Sequence, residues 1–311
     1  MKKEKSIPSF IYIFGPVVRY ILVSELVYAL MGFLWNGRLQ EMILQGKGTA
    51  AFSHVLQTVW AYLCIIIPAA AGCLAVVRDA WIERTAFPNG QRKRQLAALS
   101  RVNEWKAVRD ERAERDRSGR GFPFFLVYTA AQDKISRRVV SLLLPCAVFL
   151  SLGINVLASC SVPDSVPQIS QGTLTGISGI LVQALCYCIF MPYVEETVFR
   201  AVLYPRLQRG FGTGWAVFGS AVLFGVYHGN PVQAVYALVL GIVFAGAYEV
   251  FGRFELPFAL HGMCNLSVLG LQWSGTYESV CTPAWAAVFL GAAACGFYTI
   301  SVIIRKEINA A

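Results

Sequence analysis

Ile180–Arg200 reads ILVQALCYCIFMPYVEETVFR. Fifteen residues without a charge run directly into two adjacent acids, Glu195 and Glu196, and four positions after the second acid comes Arg200. Counted from about residue 173, the apolar part is long enough to cross a hydrocarbon core about 30 Å thick. It shows no alternation of period two, so it reads as helix; lipid tolerates only helices or closed barrels. The acids at its end are the anomaly that the rest of the chain has to explain.

Working outward, seven more apolar stretches of this kind fall near 10–35, 51–77, 139–159, 214–230, 232–251, 256–272 and 282–304, beside the one at 173–194. Of the 311 residues, 56% are hydrophobic and 14% charged, and the mean hydropathy is +0.54. One soluble core could not hide that much apolar surface. The expected fold is therefore all-α, a polytopic membrane helix bundle of about eight transmembrane helices.

The net charge of +9 does not mark a nucleic-acid binder, because the basic residues lie between apolar stretches rather than on one compact face. Lys2, Lys3 and Lys5 precede the first stretch, and segment 78–138 holds fifteen Lys/Arg against eight Asp/Glu. Arg200, Arg206 and Arg209 follow the fourth stretch, Arg253 the sixth, and Arg305 and Lys306 the eighth, while Arg38 and Lys47 fall on the other side. The positive-inside rule then puts the protein in the cell membrane with both termini cytoplasmic. The first stretch, with Arg19 and Glu25 inside it, reads as a retained anchor and not as a cleaved signal.

The layout is two N-terminal anchor helices in 1–77, a basic cytoplasmic helical segment in 78–138 and a third span with an outer loop in 139–172. A four-helix core in 173–275 and a C-terminal transmembrane helix in 276–311 complete it. Segment 78–138 reads as an ion-paired hairpin resting on anionic lipid headgroups, with Phe122–Tyr128 as an aromatic anchor. Nine cysteines lie mostly in apolar stretches, where thiols act as small hydrophobes; Cys160 and Cys281, at outer ends, could pair.

Ionisable groups inside a bilayer are costly and are functional candidates until explained. On a helix Glu196 and Arg200 are i,i+4 neighbours with the acid first, the better order for a pair, whereas Glu195 points about 100° away without that partner. Two of the chain's three histidines lie in apolar stretches: His228 ends Phe224-Gly225-Val226-Tyr227-His228, and His261 opens His261-Gly262-Met263-Cys264-Asn265. His261 and Asn265 are one turn apart and share a face. Glu249 and Glu255, near helix ends, read as structural.

EETVFR, FGVYH and HGMCN match, in order, the EExxxR, FxxxH and HxxxN motifs. Over about 173–275 the chain resembles the CPBP family (CAAX protease and bacteriocin-processing, or Abi), which are intramembrane glutamic endopeptidases. It departs in placing Ala201 after the motif arginine, where glycine is frequent. The resemblance implies a hydrolase that cuts a peptide bond with an activated water and no covalent intermediate. Glu195 would be the base, His228 would share the water and help protonate the leaving amine, and His261 with Asn265 would stabilise the oxyanion. Glu196 and Arg200 would hold the Glu195 helix, Phe224 would pack beneath the site, and no cofactor or metal is implied. The substrate would be a prenylated CAAX-type peptide or a small membrane-associated one. Two other readings stay open: a zinc protease with Glu195, His228 and His261 as a His₂Glu set, and a non-catalytic immunity, scaffold or transport protein.

One geometric requirement comes with these readings. A helix beginning at Gly214 carries His228 about 21 Å inward, while Glu195 and His261 fall in the cytoplasmic third. The groups meet if the fourth helix continues past Arg200, burying Glu195 deeper, or if the fifth begins inside the protein, with Gly210, Gly212 and Gly214 permitting an irregular entry. The expected outcome is a cavity open to the cytoplasm.

Overall fold

The computed structural model describes residues 10–35, 55–83, 132–162 and 176–310, with the backbone alone for 132–137, 176–177 and 307–310. Every regular element among them is a helix. The elements are α1 (Phe10–Leu34), α2 (Val55–Glu83), α3 (Gln132–Ser161), α4 (176–211), α5 (Thr213–Tyr227), α6 (Pro231–Phe251), α7 (Glu255–Trp273), the single turn α8 (Tyr277–Val280) and α9 (Pro283–Ala310). Within the described residues, all eight apolar stretches are helical. Six are long and apolar enough to cross a membrane: α1, α2, α3, α4, α6 and α9. α5 is apolar but shorter. This is a multi-pass, all-α membrane bundle. Gln91–Arg120 and Phe122–Tyr128 lie outside the described residues.

The fourth helix corrects the expected boundary and meets the depth requirement. α4 continues through Arg200 to Phe211 in five unbroken stretches: α-helical Gly176–Gln183, π-helical Ala184–Phe190, α-helical Met191–Glu196, π-helical Thr197–Leu203 and α-helical Tyr204–Phe211. Gly212, at φ +85°, then turns the chain directly into α5. Glu195 lies sixteen residues before Phe211 and His228 fifteen after Thr213, so two antiparallel helices bring them to one level. No irregular entry is needed. Arg200 and Arg206 are consequently buried residues of α4, not free charges following a span.

α2 likewise runs past residue 77 to Glu83, and its added turns face α4. Arg206 donates to Glu83 at 3.0 Å, to Asp79 at 2.6 Å and to the Tyr12 carbonyl at 2.6 Å. Arg209 donates to Glu83 and to the Tyr12 hydroxyl, and Arg19 donates to Asp79. Three basic and two acidic side chains thus tie α1 and α2 to the end of α4, and α1 packs along the second π-helical stretch. Glu249 is structural, as expected: it accepts from Tyr204 at 2.7 Å, from Gln208 at 2.6 Å and from Thr213 at 3.2 Å.

α4–α7 form the inner group, with α3 and α9 packed together beside α6 and α7. Between α5 and α6 the turn is short because Asn230 caps α6, accepting from the Val232 and Gln233 amides, with Pro231 as the first helical residue. Cys160 and Cys281 are free thiols in this structure.

Candidate active site

α4 contributes Glu195, Glu196 and Arg200 from between and within its π-helical stretches, a helical irregularity frequent at functional sites. Glu196 and Arg200 are fully buried. Arg200 donates to Glu196 Oε1 at 3.1 Å and to the Gly241 carbonyl of α6 at 3.2 Å, and its guanidinium lies 4.4 Å from the centre of the Phe224 ring. Glu196 Oε2 and Arg200 Nε find no protein partner, a departure from the near-complete pairing of buried polar groups.

His261 reaches both acids from α7. Its Nδ1 donates to Glu196 Oε1 at 2.9 Å, and its Nε2 stands 3.6 Å from Glu195 Oε2. An oxygen that already accepts from Arg200 is an acceptor, so the Nδ1 proton is fixed and Nε2 is the atom offered to Glu195. A separation of 3.6 Å is too long for a direct hydrogen bond and is of the kind that a water bridges. Glu195 and His261 are each 6% exposed, enough for contact with a small reactant.

Two features let α7 arrive here within two turns of its start. Phe254 and Phe258 pack edge-on against Tyr193 of α4, one turn ahead of Glu196. Gly262 lets the backbones touch: a Cβ there would lie 2.4 Å from the Cys188 carbonyl oxygen.

His228 ends α5, and its Nδ1 donates to the Phe224 carbonyl at 2.7 Å. A carbonyl only accepts, so in the neutral ring Nε2 keeps its lone pair. The Phe224 ring joins the two imidazoles, edge-on to His228 at 4.8 Å and to His261 at 5.6 Å, and Phe244 of α6 stacks on the other side of His261 at 5.1 Å. Phe224 is itself buried. Asn265 donates to the Tyr187 carbonyl at 2.8 Å, inside the first π-helical stretch, which leaves its second N–H. Cys264 turns away from the His261–Asn265 face, its thiol meeting the Ala147 carbonyl of α3 at 3.4 Å.

Among the described residues no three His, Cys, Asp or Glu side chains are grouped to hold a metal ion, so the His₂Glu reading finds no donor set here. Sequence reasoning singled out the acids, the imidazoles, Arg200, Asn265 and Phe224; it missed the aromatic wall Phe244 and the Tyr193, Phe254 and Phe258 contact, which lie outside the motifs.

The converging acids and imidazoles coincide with a family match. Residues 177–267 match the model of the Rce1-like family, type II CAAX prenyl endopeptidases. Over these residues the chain is similar to that family. The CPBP match covers α4–α7 through Asn265 and leaves α1–α3 and α9 outside it. A relative in Bacillus subtilis (strain 168), named "Putative membrane peptidase YdiL", is 26% identical over 103 residues, 33% of this chain and 42% of its own length. The aligned region thus spans about two fifths of that relative. No solved structure matches.

Proposed function

We propose that the chain is an intramembrane endopeptidase that hydrolyses a peptide bond with a water activated by Glu195. The observation that carries the reading is the buried relay Arg200–Glu196–His261, ending 3.6 Å from a second carboxylate, Glu195, that the relay leaves free. It has the logic of a reactive group facing a base that a third residue orients.

In this reading Glu195 takes a proton from a water lying between it and the substrate carbonyl, and the hydroxide adds to that carbonyl. His228, with Nδ1 committed to Phe224, holds the same water through its Nε2 lone pair; Nε2 then receives the proton that Glu195 removed and passes it to the leaving amine as the C–N bond breaks. The free N–H of Asn265 donates to the oxyanion, as does His261 when it carries a proton on Nε2 as well. Glu196 and Arg200 position His261 and do not react. The substrate is a peptide presented at the membrane, prenylated in CAAX fashion or small and membrane-associated; the similarity to CAAX prenyl endopeptidases supports the first. The site opens to the cytoplasm, with both termini on that side, and anionic headgroups contact segment 78–138.

Comparing protein N-termini in membranes that carry the wild-type chain or Glu195→Gln tests this. New N-termini should appear with the wild type and vanish with the variant. Identical sets of termini in the two, with both proteins present in equal amount, would contradict the proposal.

A further inference from the structure

The first helix also reaches the site, although it lies outside the family match. Tyr20, in the middle of α1 and 1% exposed, shares a hydrogen bond with Tyr227 of α5, hydroxyl to hydroxyl at 2.8 Å. Tyr227 immediately precedes His228, and the two rings meet edge-on at 5.8 Å. On its other side Tyr227 contacts Phe199 at 5.5 Å, and Phe199 packs at 5.3 Å on Phe224, the ring that both imidazoles flank.

Two hydroxyls hold two protons, and the bond between them uses one. The other O–H remains a donor. Asn265 has one of its two N–H groups committed to Tyr187, so it offers the oxyanion a single N–H. We infer that the Tyr20–Tyr227 pair supplies a further donor to the substrate carbonyl as it becomes an oxyanion. In this arrangement Tyr20 donates to the Tyr227 oxygen, and the remaining Tyr227 O–H makes the contact, so Tyr227 is the catalytic residue. Tyr20 is a positioning residue that fixes the Tyr227 hydroxyl, and α1 is thereby part of the catalytic unit. No covalent step is involved: the phenol donates a hydrogen bond that strengthens as charge develops on the oxygen and relaxes when the amine leaves.

This inference rests on the peptidase reading, and the test separates the two. A synthetic peptide spanning the most abundant Glu195-dependent cleavage site is the probe, with purified full-length protein in nanodiscs. Tyr227→Phe keeps the ring packing and removes the hydroxyl; kcat should fall about 100-fold, the usual loss for one oxyanion donor, with KM and the melting temperature near wild type. Tyr20→Phe leaves the Tyr227 hydroxyl in place but unfixed, and kcat should fall about 10-fold, short of the loss of the donor itself. A Tyr227→Phe kcat within about threefold of wild type overturns the donor role, because a hydrogen bond that merely joins helices would move the melting temperature and spare kcat. Absence of any Glu195-dependent terminus overturns the peptidase reading and this inference with it.

Discussion

His261 is clamped between two consecutive acids of one helix: Nδ1 is bound to Glu196 at 2.9 Å, and Nε2 faces Glu195 at 3.6 Å. Neighbouring residues on a helix diverge by about 100°, so a single side chain meets both only by standing in the angle between them. A close approach of α7, permitted by Gly262, puts the imidazole there. The adjacent acids thereby take different parts, one bound to Arg200 and His261 and the other left facing a nitrogen.

Replacing Glu196 by Gln tests the relay. Arg200 is wholly buried, and removing the countercharge of such a cation costs about 3–5 kcal/mol. Glu196→Gln should melt well below wild type and lose nearly all cleavage. A variant with wild-type melting would mean that Arg200 does not depend on Glu196.

Gly262→Ala tests the close approach. The added methyl would stand 2.4 Å from the Cys188 carbonyl, so α7 must retreat from α4 and take His261 with it. Overpacking of this kind costs about 1–3 kcal/mol. Turnover should fall further than stability does, by about 100-fold for a displacement near 1 Å. Equal rates in the variant and wild type would show that α7 can shift without consequence.

Arg206→Ala tests the α1–α2–α4 ion-pair cluster. Arg206 meets two carboxylates and a carbonyl while nearly buried, so its loss leaves Glu83 and Asp79 short of a partner. Arg209 and Arg19 still pair with these carboxylates, so the expected loss is about 1.5–3 kcal/mol, read as a lower melting temperature. Because the cluster lies two turns or more beyond Glu195, kcat per folded molecule should remain within about threefold of wild type. A large drop in kcat at unchanged stability would place the cluster in the reaction.

Asn265→Ala separates two uses of one amide. Loss of the bond to the Tyr187 carbonyl should cost about 1–2 kcal/mol, the scale of interhelical hydrogen bonds in membranes. Loss of the second N–H should lower kcat about 100-fold on the folded protein. A stability loss with kcat intact would leave Asn265 a purely structural residue.

The helices were legible because apolar runs of bilayer length are an unambiguous signal, and the site residues because ionisable groups inside such runs demand explanation. The end of α4 was not. A sequence rule takes Arg200, Arg206 and Arg209 as the charged close of a span, whereas their carboxylate partners sit one turn back in the same helix or more than a hundred residues away on α2. The π-helical stretches have no residue signature, because any local sequence can host the register change when a partner helix accepts it. The placement of His261 was half legible. Its face with Asn265 follows from spacing, but its seat between the two acids depends on how closely α7 packs, and only the absent side chain at Gly262 hints at that. Tyr20 could not have been picked from the many aromatic residues of an apolar helix.

The most direct measurement is single-turnover cleavage of the Glu195-dependent peptide by purified wild-type protein and by Glu195→Gln in nanodiscs at matched protein concentration. If Glu195 activates the water, the variant binds the peptide as wild type does, melts at the same temperature and cleaves at least about 1,000-fold more slowly, within the range that a positioned base contributes. Cleavage by Glu195→Gln within about threefold of wild type would contradict the account.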